Sequence, residues 1–312
     1  MNGTVSLIAN HLDVSVDLPC NINDRVVLRK PLNDELEYLK RILPATVGMG
    51  GMLPYEWTVV AEGNGHSGSR CADPKKWKYW VLCDEDSGAA TREVERVARL
   101  LSPGIELAVT LWRNSLPGSK HLVGHGFAGP QIISRYWTVE RAFKLPDRFD
   151  SVHIDQLRRL LLATGNLSEK FAFVKDALEN FAALSKVDDS SNLKIIGYFA
   201  IIESLVTHQP RLTETLDSIS HQLRGKLVLL GKRFEHPLES NKYFDDISME
   251  NLWKKLYGFR SAIAHGRRPE FIGDYAVLRD IQSVSSFLEH VCKQLLIHGL
   301  KEPELINDLR AC

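Results

Sequence analysis

The sequence predicts an α+β chain, with a mixed or β-rich segment over residues 1–148 followed by an all-α helical bundle over 149–312. Three observations carry this. Runs alternating with period two fill the first half, apolar stripes spaced three and four apart fill the second from Pro146 onward, and 312 residues is long for one compact core.

In the first half, Val5 to Ile8 and the alternating run 12–18 have the pattern of half-buried strands. The runs 57–60, 77–82, 107–112 and 132–139 are rich in β-branched and aromatic residues with turn formers between them, so each predicts a strand. Helical spacing interrupts over 33–43 and 91–101. Two glycine clusters, Gly48, Gly50, Gly51 and Gly63, Gly65, Gly68, lack the Gly-Lys-Ser/Thr ending of a phosphate-binding loop and read as surface turns. His121 and His125 stand four apart, but Gly118, Gly124, Gly126 and Gly129 make a helix there improbable, and a loop is expected. Trp77, Tyr79 and Trp80 among Lys75, Lys76 and Lys78 read first as an amphipathic strand, with base stacking over a basic groove as the alternative.

The second half reads as consecutive helices. Ile154, Leu157 and Leu161 begin one that Gly165 closes, and Ser168 offers a cap for the next, whose stripe is Phe171, Val174, Leu178 and Phe181. Ile195, Phe199, Ile202 and Val206 form another, ended before Pro210. Thr213 or Thr215 is expected to cap the helix carrying Leu216, Ile219, Leu223, Leu227 and Leu230, which Gly231 stops. Leu278, Ile281, Ser285, Leu288, Cys292 and Leu295 mark a last long helix. Amphipathic helices with short polar links make a bundle.

The segment 251–268, NLWKKLYGFRSAIAHGRR, combines a helical stripe (Leu252, Leu256, Phe259, Ile263) with five basic residues and no carboxylate. Arg260 projects to the stripe's flank, near Trp253 and Tyr257. On an unbroken helix His265 lies roughly 140° around from Arg260. Gly266 and Pro269 predict that the helix ends there, which frees His265 to swing toward Arg260. A guanidinium clamps phosphate and an imidazole moves protons near neutrality, so the pair suits phosphodiester chemistry. Lys254, Lys255, Arg267 and Arg268 would draw in a polyanion. The competing reading is a solvated helix face with a His favoured by the macrodipole. Glu203 projects to the flank of its own helix, where it either pairs with Arg260 or is solvated. His221 and Arg224 would extend the basic surface.

The stretch LYGFRSAIAHG resembles the Arg-x4-6-His motif of HEPN domains, and Leu256-Tyr257 before the Arg and Gly266 after the His resemble the Apea-like branch. The resemblance covers about residues 168–298 and implies a HEPN-like bundle and a metal-independent endoribonuclease, with Arg260 and His265 as its catalytic residues. Many ribonuclease members have Asn, Asp or His directly after the Arg, and this chain has Ser261, whose hydroxyl can also hydrogen-bond. Ser261, Tyr257, Glu203 and the four flanking basic residues would support the site or bind RNA. The resemblance also implies a homodimer through paired bundles, no metal or cofactor, and a setting in phage defence or a toxin-like system. The rival readings are a non-catalytic RNA- or nucleotide-binding module and a structural dimerisation bundle.

Composition adds bounds. Thirty-nine basic and 39 acidic residues cancel, so affinity for a polyanion must come from a local patch. Five scattered cysteines without a Cys-x2-Cys pair suggest free thiols in a reducing cytoplasm rather than a zinc finger. The first residues lack the pattern of a signal peptide, and no run approaches the roughly 20 apolar residues of a membrane span. A cytoplasmic protein is expected.

Overall fold

The computed structural model describes residues 3–47, 53–62, 66–116, 119–129, 132, 135–138, 144–209 and 218–312. The chain is α+β, with an N-terminal sheet and C-terminal helices, and divides into two compact units, Met1–Leu161 and Leu162–Cys312.

The first unit is built on a six-stranded sheet of order β3-β4-β7-β1-β8-β9, from β1 (Thr4–Ile8), β3 (Cys20–Asn21), β4 (Val26–Arg29), β7 (Val81–Asp84), β8 (Leu107–Leu116) and β9 (Ser119–Phe127). All its pairings are antiparallel. The hairpin β5 (Trp57–Glu62) with β6 (His66–Cys71) and the parallel pair β2 (Leu12–Ser15) with β10 (Asp147–Asp150) stand apart from it. Val5, Leu7, Val81, Val109 and Leu111 turn inward from the sheet and bury against Leu39 and Leu43 of α1 (Asn33–Val47). Tyr55 closes this core, donating its hydroxyl to the Ile8 and Ala9 carbonyls and accepting from the Trp137 indole at 2.8 Å. A second helix, α2 (Ala89–Ala98), packs against β4 and β7.

Several expectations change here. Ile132, Arg135 and Tyr136 have helical backbone, so the run 132–139 is no strand across its described residues. Its aromatic content serves core packing, with Ile132 and Trp137 buried beneath the sheet. The stretch around His125 is edge strand β9 rather than a loop, and the His125 imidazole meets the Tyr38 hydroxyl at 3.0 Å. Glycines are tolerated there because the Trp112 ring lies across Gly124 and Gly126, where a Cβ would stand 3.3 and 3.0 Å from it. Gly48, Gly50, Gly51, Gly63 and Gly65 lie outside the described residues, and Gly68 sits in β6 opposite Val60.

Helix α3 (Ser151–Gly165) carries the chain across the division between the units, five residues after the compositional break at Pro146. The second unit contains α4 (Ala172–Leu184), α5 (Asn192–Val206), α6 (Ile219–Gly231), α7 (Met249–Ala264), α8 (Ile281–Lys301) and α9 (Pro303–Ala311). Helix α5 is in contact with α4, α6, α7, α8 and α9. It is therefore not amphipathic: only Leu193, Ala200 and Ser204 are exposed along it. The cap of α6 is Ser218, whose side chain accepts from the His221 amide; Thr213, Thr215 and Leu216 lie outside the described residues. Leu278 belongs to a short 3-10 turn, Gly273–Leu278, and Asp280 caps α8. Helix α9 was not foreseen. Among the described residues no helix is long and apolar enough to cross a membrane.

The most demanding polar arrangement in the sheet unit is Glu35, in the first turn of α1 and fully buried. Its carboxylate accepts two bonds from Arg29 at 2.7 and 2.8 Å, pairs with Arg113 at 2.6 Å, and accepts from the Leu32 amide just before the helix. Removing one member of such a group strands buried charge. Glu35→Ala is therefore expected to cost about 3–5 kcal/mol, read as a lowered urea midpoint; an unchanged midpoint would contradict this assignment.

Candidate functional site

Ser248 caps α7 by accepting from the Asn251 amide, and the helix then buries Leu252, Trp253, Leu256 and Phe259. Ile263, expected to complete this stripe, is only partly covered. Phe199 of α5 meets Trp253 at 6.4 Å and Tyr257 at 6.3 Å between ring centroids, both edge to face. One turn further along both helices the same interface brings Glu203 to Arg260, Oε2 to Nη2 at 3.1 Å. Arg260 also lies over the Tyr257 ring, 5.7 Å from its centroid. Of the two readings of Glu203, paired or solvated, the paired one holds.

The pair is half-buried and incompletely satisfied. Glu203 Oε1, Arg260 Nε and, on the same helix, Trp253 Nε1 are buried with no hydrogen-bond partner among the described residues. Burial pushes the Glu203 carboxyl above the ordinary carboxylate range, and Arg260 opposes the shift without cancelling it. The folded state therefore holds that proton more tightly than the unfolded chain. This group favours the fold most at pH values below the ordinary carboxylate range, and less as pH rises through its folded value.

The end of α7 is a Schellman arrangement. Gly266 takes φ 74°, its amide bonds to the Ile263 carbonyl, and the Arg267 amide bonds to the Ala262 carbonyl, both at 2.9 Å. His265 is the last residue before this turn, with φ −90° and ψ 16°, and its amide still bonds to the Ser261 carbonyl. Its Cβ consequently leaves the helix near where the helical wheel puts it, roughly 140° from Arg260. The helix ends where the sequence predicts. Yet among the described residues no hydrogen bond joins His265 to Arg260, and the imidazole is exposed.

The other residues divide by partner. Lys255 pairs with Asp274 at 2.8 Å, and Arg224 reaches Glu250 at 3.7 Å and His221 at 3.5 Å. Lys254, Arg267 and Arg268 are exposed and have no ion pair among the described residues, while Ser261 is half-buried. Asp274 went unnoticed in the sequence because nothing in its spacing connects the Gly273–Leu278 turn to α7. Packing makes the connection, with Tyr275 edge-on to Phe259 at 5.4 Å. The site therefore consists of an arginine anchored by a carboxylate and an aromatic ring, and, around the helix from it, an exposed imidazole beside free cations.

Comparison with models of protein families, with curated proteins and with solved structures finds no match.

Two outcomes are expected. In Arg260→Ala the group opposing burial is gone, so the Glu203 carboxyl titrates higher still, followed by carboxyl 13C shifts; a downward move would refute the pairing. Gly266→Ala meets no atom within 4 Å, so its cost is that of the left-handed backbone alone. About 1–2 kcal/mol should be lost in thermal unfolding, and less in Gly266→Asn.

Proposed function

We propose that the second unit is a HEPN-type, metal-independent endoribonuclease in which Arg260 and His265 carry the reaction. The observation that carries the reading is the anchoring of Arg260: Glu203 and Tyr257 hold its guanidinium, and a quarter of the side chain stays exposed. A cation held in place beforehand stabilises developing phosphorane charge without reorganising during the reaction.

In the reaction, the 2′-oxygen of the RNA attacks the adjacent phosphorus and loses its proton to a base. The P–O5′ bond breaks and the leaving oxygen takes up a proton. The products are a 2′,3′-cyclic phosphate, which hydrolysis can open to a 3′-phosphate, and a 5′-hydroxyl. His265 serves as the base or the acid, or holds the scissile phosphate. Its exposure at the end of α7, roughly 140° from Arg260, suits a groove completed by the same motif of a second copy. That makes the working form a homodimer. Lys254, Arg267 and Arg268 supply a cationic rim, Ser261 a hydroxyl, and Lys255 is largely neutralised by Asp274. RNA restriction in phage defence or a toxin-like system would be the setting for such an enzyme.

A second reading is a non-catalytic bundle that binds RNA or a nucleotide, or only dimerises. The missing bond between Arg260 and His265 favours it. Cleavage of a labelled single-stranded RNA in EDTA separates the two. The nuclease predicts cyclic-phosphate ends from the wild type, and a loss of about 10²- to 10⁴-fold in His265→Ala with RNA binding retained. Undiminished cleavage by that variant removes His265 from the chemistry; binding without cleavage by either protein selects the second reading.

A further inference from the structure

We propose that the sheet unit carries a separate binding surface for the phosphodiester backbone of single-stranded nucleic acid, formed by Lys30, Lys40, Lys75 and Lys76 around Trp77. The stretch from Trp77 to Trp80 was expected to begin a strand at residue 77, but β7 begins only at Val81. The preceding residues leave a 3-10 turn, Pro74–Lys76, as irregular extended chain. Both indoles are locked: Trp77 Nε1 donates to the Ala72 carbonyl at 3.1 Å and Trp80 Nε1 to the Leu12 carbonyl at 2.9 Å.

Their faces are not open to bases. Lys40 Nζ stands 4.1 Å from the Trp77 ring centroid, and Lys30 Nζ stands 4.2 Å from that of Trp80, which is 5% exposed. Lys30 also donates to the Trp77 carbonyl. The rings therefore act as supports for cations rather than as stacking platforms. An ammonium resting on an indole face keeps its charge and has lost part of its side-chain freedom, so less entropy remains to be lost when phosphate arrives.

These ammonium groups also form no ion pair among the described residues. Lys78 pairs with Asp13 at 2.7 Å, but among the described residues Lys30, Lys40, Lys75 and Lys76 have no carboxylate partner. Of the acids in this stretch, Asp73 caps the 3-10 turn through the Lys75 amide and Glu56 accepts from the Tyr79 hydroxyl. Burial first, and then the Lys78 charge, lower the Lys30 pKa, and Asp13 opposes them. Lysine serves a chain of phosphates as a point charge. With no base contacts available, binding should be tolerant of sequence and steeply dependent on salt.

The test uses the full chain and a short labelled single-stranded DNA, which lacks the 2′-hydroxyl, so the result is independent of any ribonuclease activity. Anisotropy titrations over a salt series give the slope of log K against log salt. Each phosphate contact contributes about −0.7 to it. Changing all four lysines to Gln should therefore flatten the slope by about 2.8, and changing all four to Arg should preserve it. Lys75→Gln with Lys76→Gln, confined to an exposed turn, should flatten it by about 1.4, which keeps the test decisive should the fourfold variant unfold. The proposal is overturned if the slope is unchanged in these variants, if the wild type does not bind the oligonucleotide, or if only phosphatidylserine vesicles bind.

Discussion

The second unit depends on one constraint: α5 is enclosed by five other helices, so nearly every position on it must be apolar. Ile195, Tyr198, Phe199, Ile201, Ile202, Leu205 and Val206 satisfy it. Glu203 violates it among these neighbours, and a carboxylate in that setting either takes up a proton or finds a cation. Arg260 is that cation. The register of α5 on α7, set by Phe199 against Trp253 and Tyr257, decides which residue of α7 reaches Glu203. Apolar packing thus dictates the polar contact. Substituting well-packed apolar residues for a partly buried ion pair is often neutral or stabilising, so this pair is no obvious contributor to stability. Its structural effect is on Arg260, whose guanidinium it holds beside the Tyr257 ring.

The termination of α7 sets the second feature. A helix end leaves carbonyls without partners, and the left-handed Gly266 satisfies two of them through its own amide and that of Arg267. The turn exposes His265, Arg267 and Arg268 together at the end of the helix. It does not redirect His265 toward Arg260, because a side chain's starting direction is set by the backbone before it, and that backbone is still helical. Freedom at the end of a helix belongs to the residues after the cap.

Legibility in the sequence followed the range of the interactions. Local features were readable: the stripe of α7, the Gly266 stop, strand β1 and the closure of α3 by Gly165 each show in the residue types and spacing of a few neighbouring positions. Environment was not. Ile132 and Trp137 have strand-like residue types yet belong to no strand, since the core selects bulk and β propensity is largely a statement about burial. Trp77 to Trp80 read as a strand for the same reason. The all-round burial of α5 was hidden because the stripe Ile195, Phe199, Ile202 and Val206 marks only one of its faces. The pairing of Glu203 with Arg260 was open from helix flanks alone, and only the packing of α5 on α7 decided it.

Charge shows the same division. The basic content of 251–268 suggested four cations free to draw in a polyanion beside Arg260, but Lys255 pairs with Asp274, and Arg260 with Glu203, both remote in sequence. In the sheet unit Lys30 and Lys40 rest on the Trp80 and Trp77 indoles and form no ion pair among the described residues. A formal charge of zero conceals both outcomes. The property that matters to a polyanion is the number of cations left over after the folded chain has satisfied its own carboxylates. That remainder is a three-dimensional quantity, and among the described residues it includes the cations at the end of α7 and around Trp77.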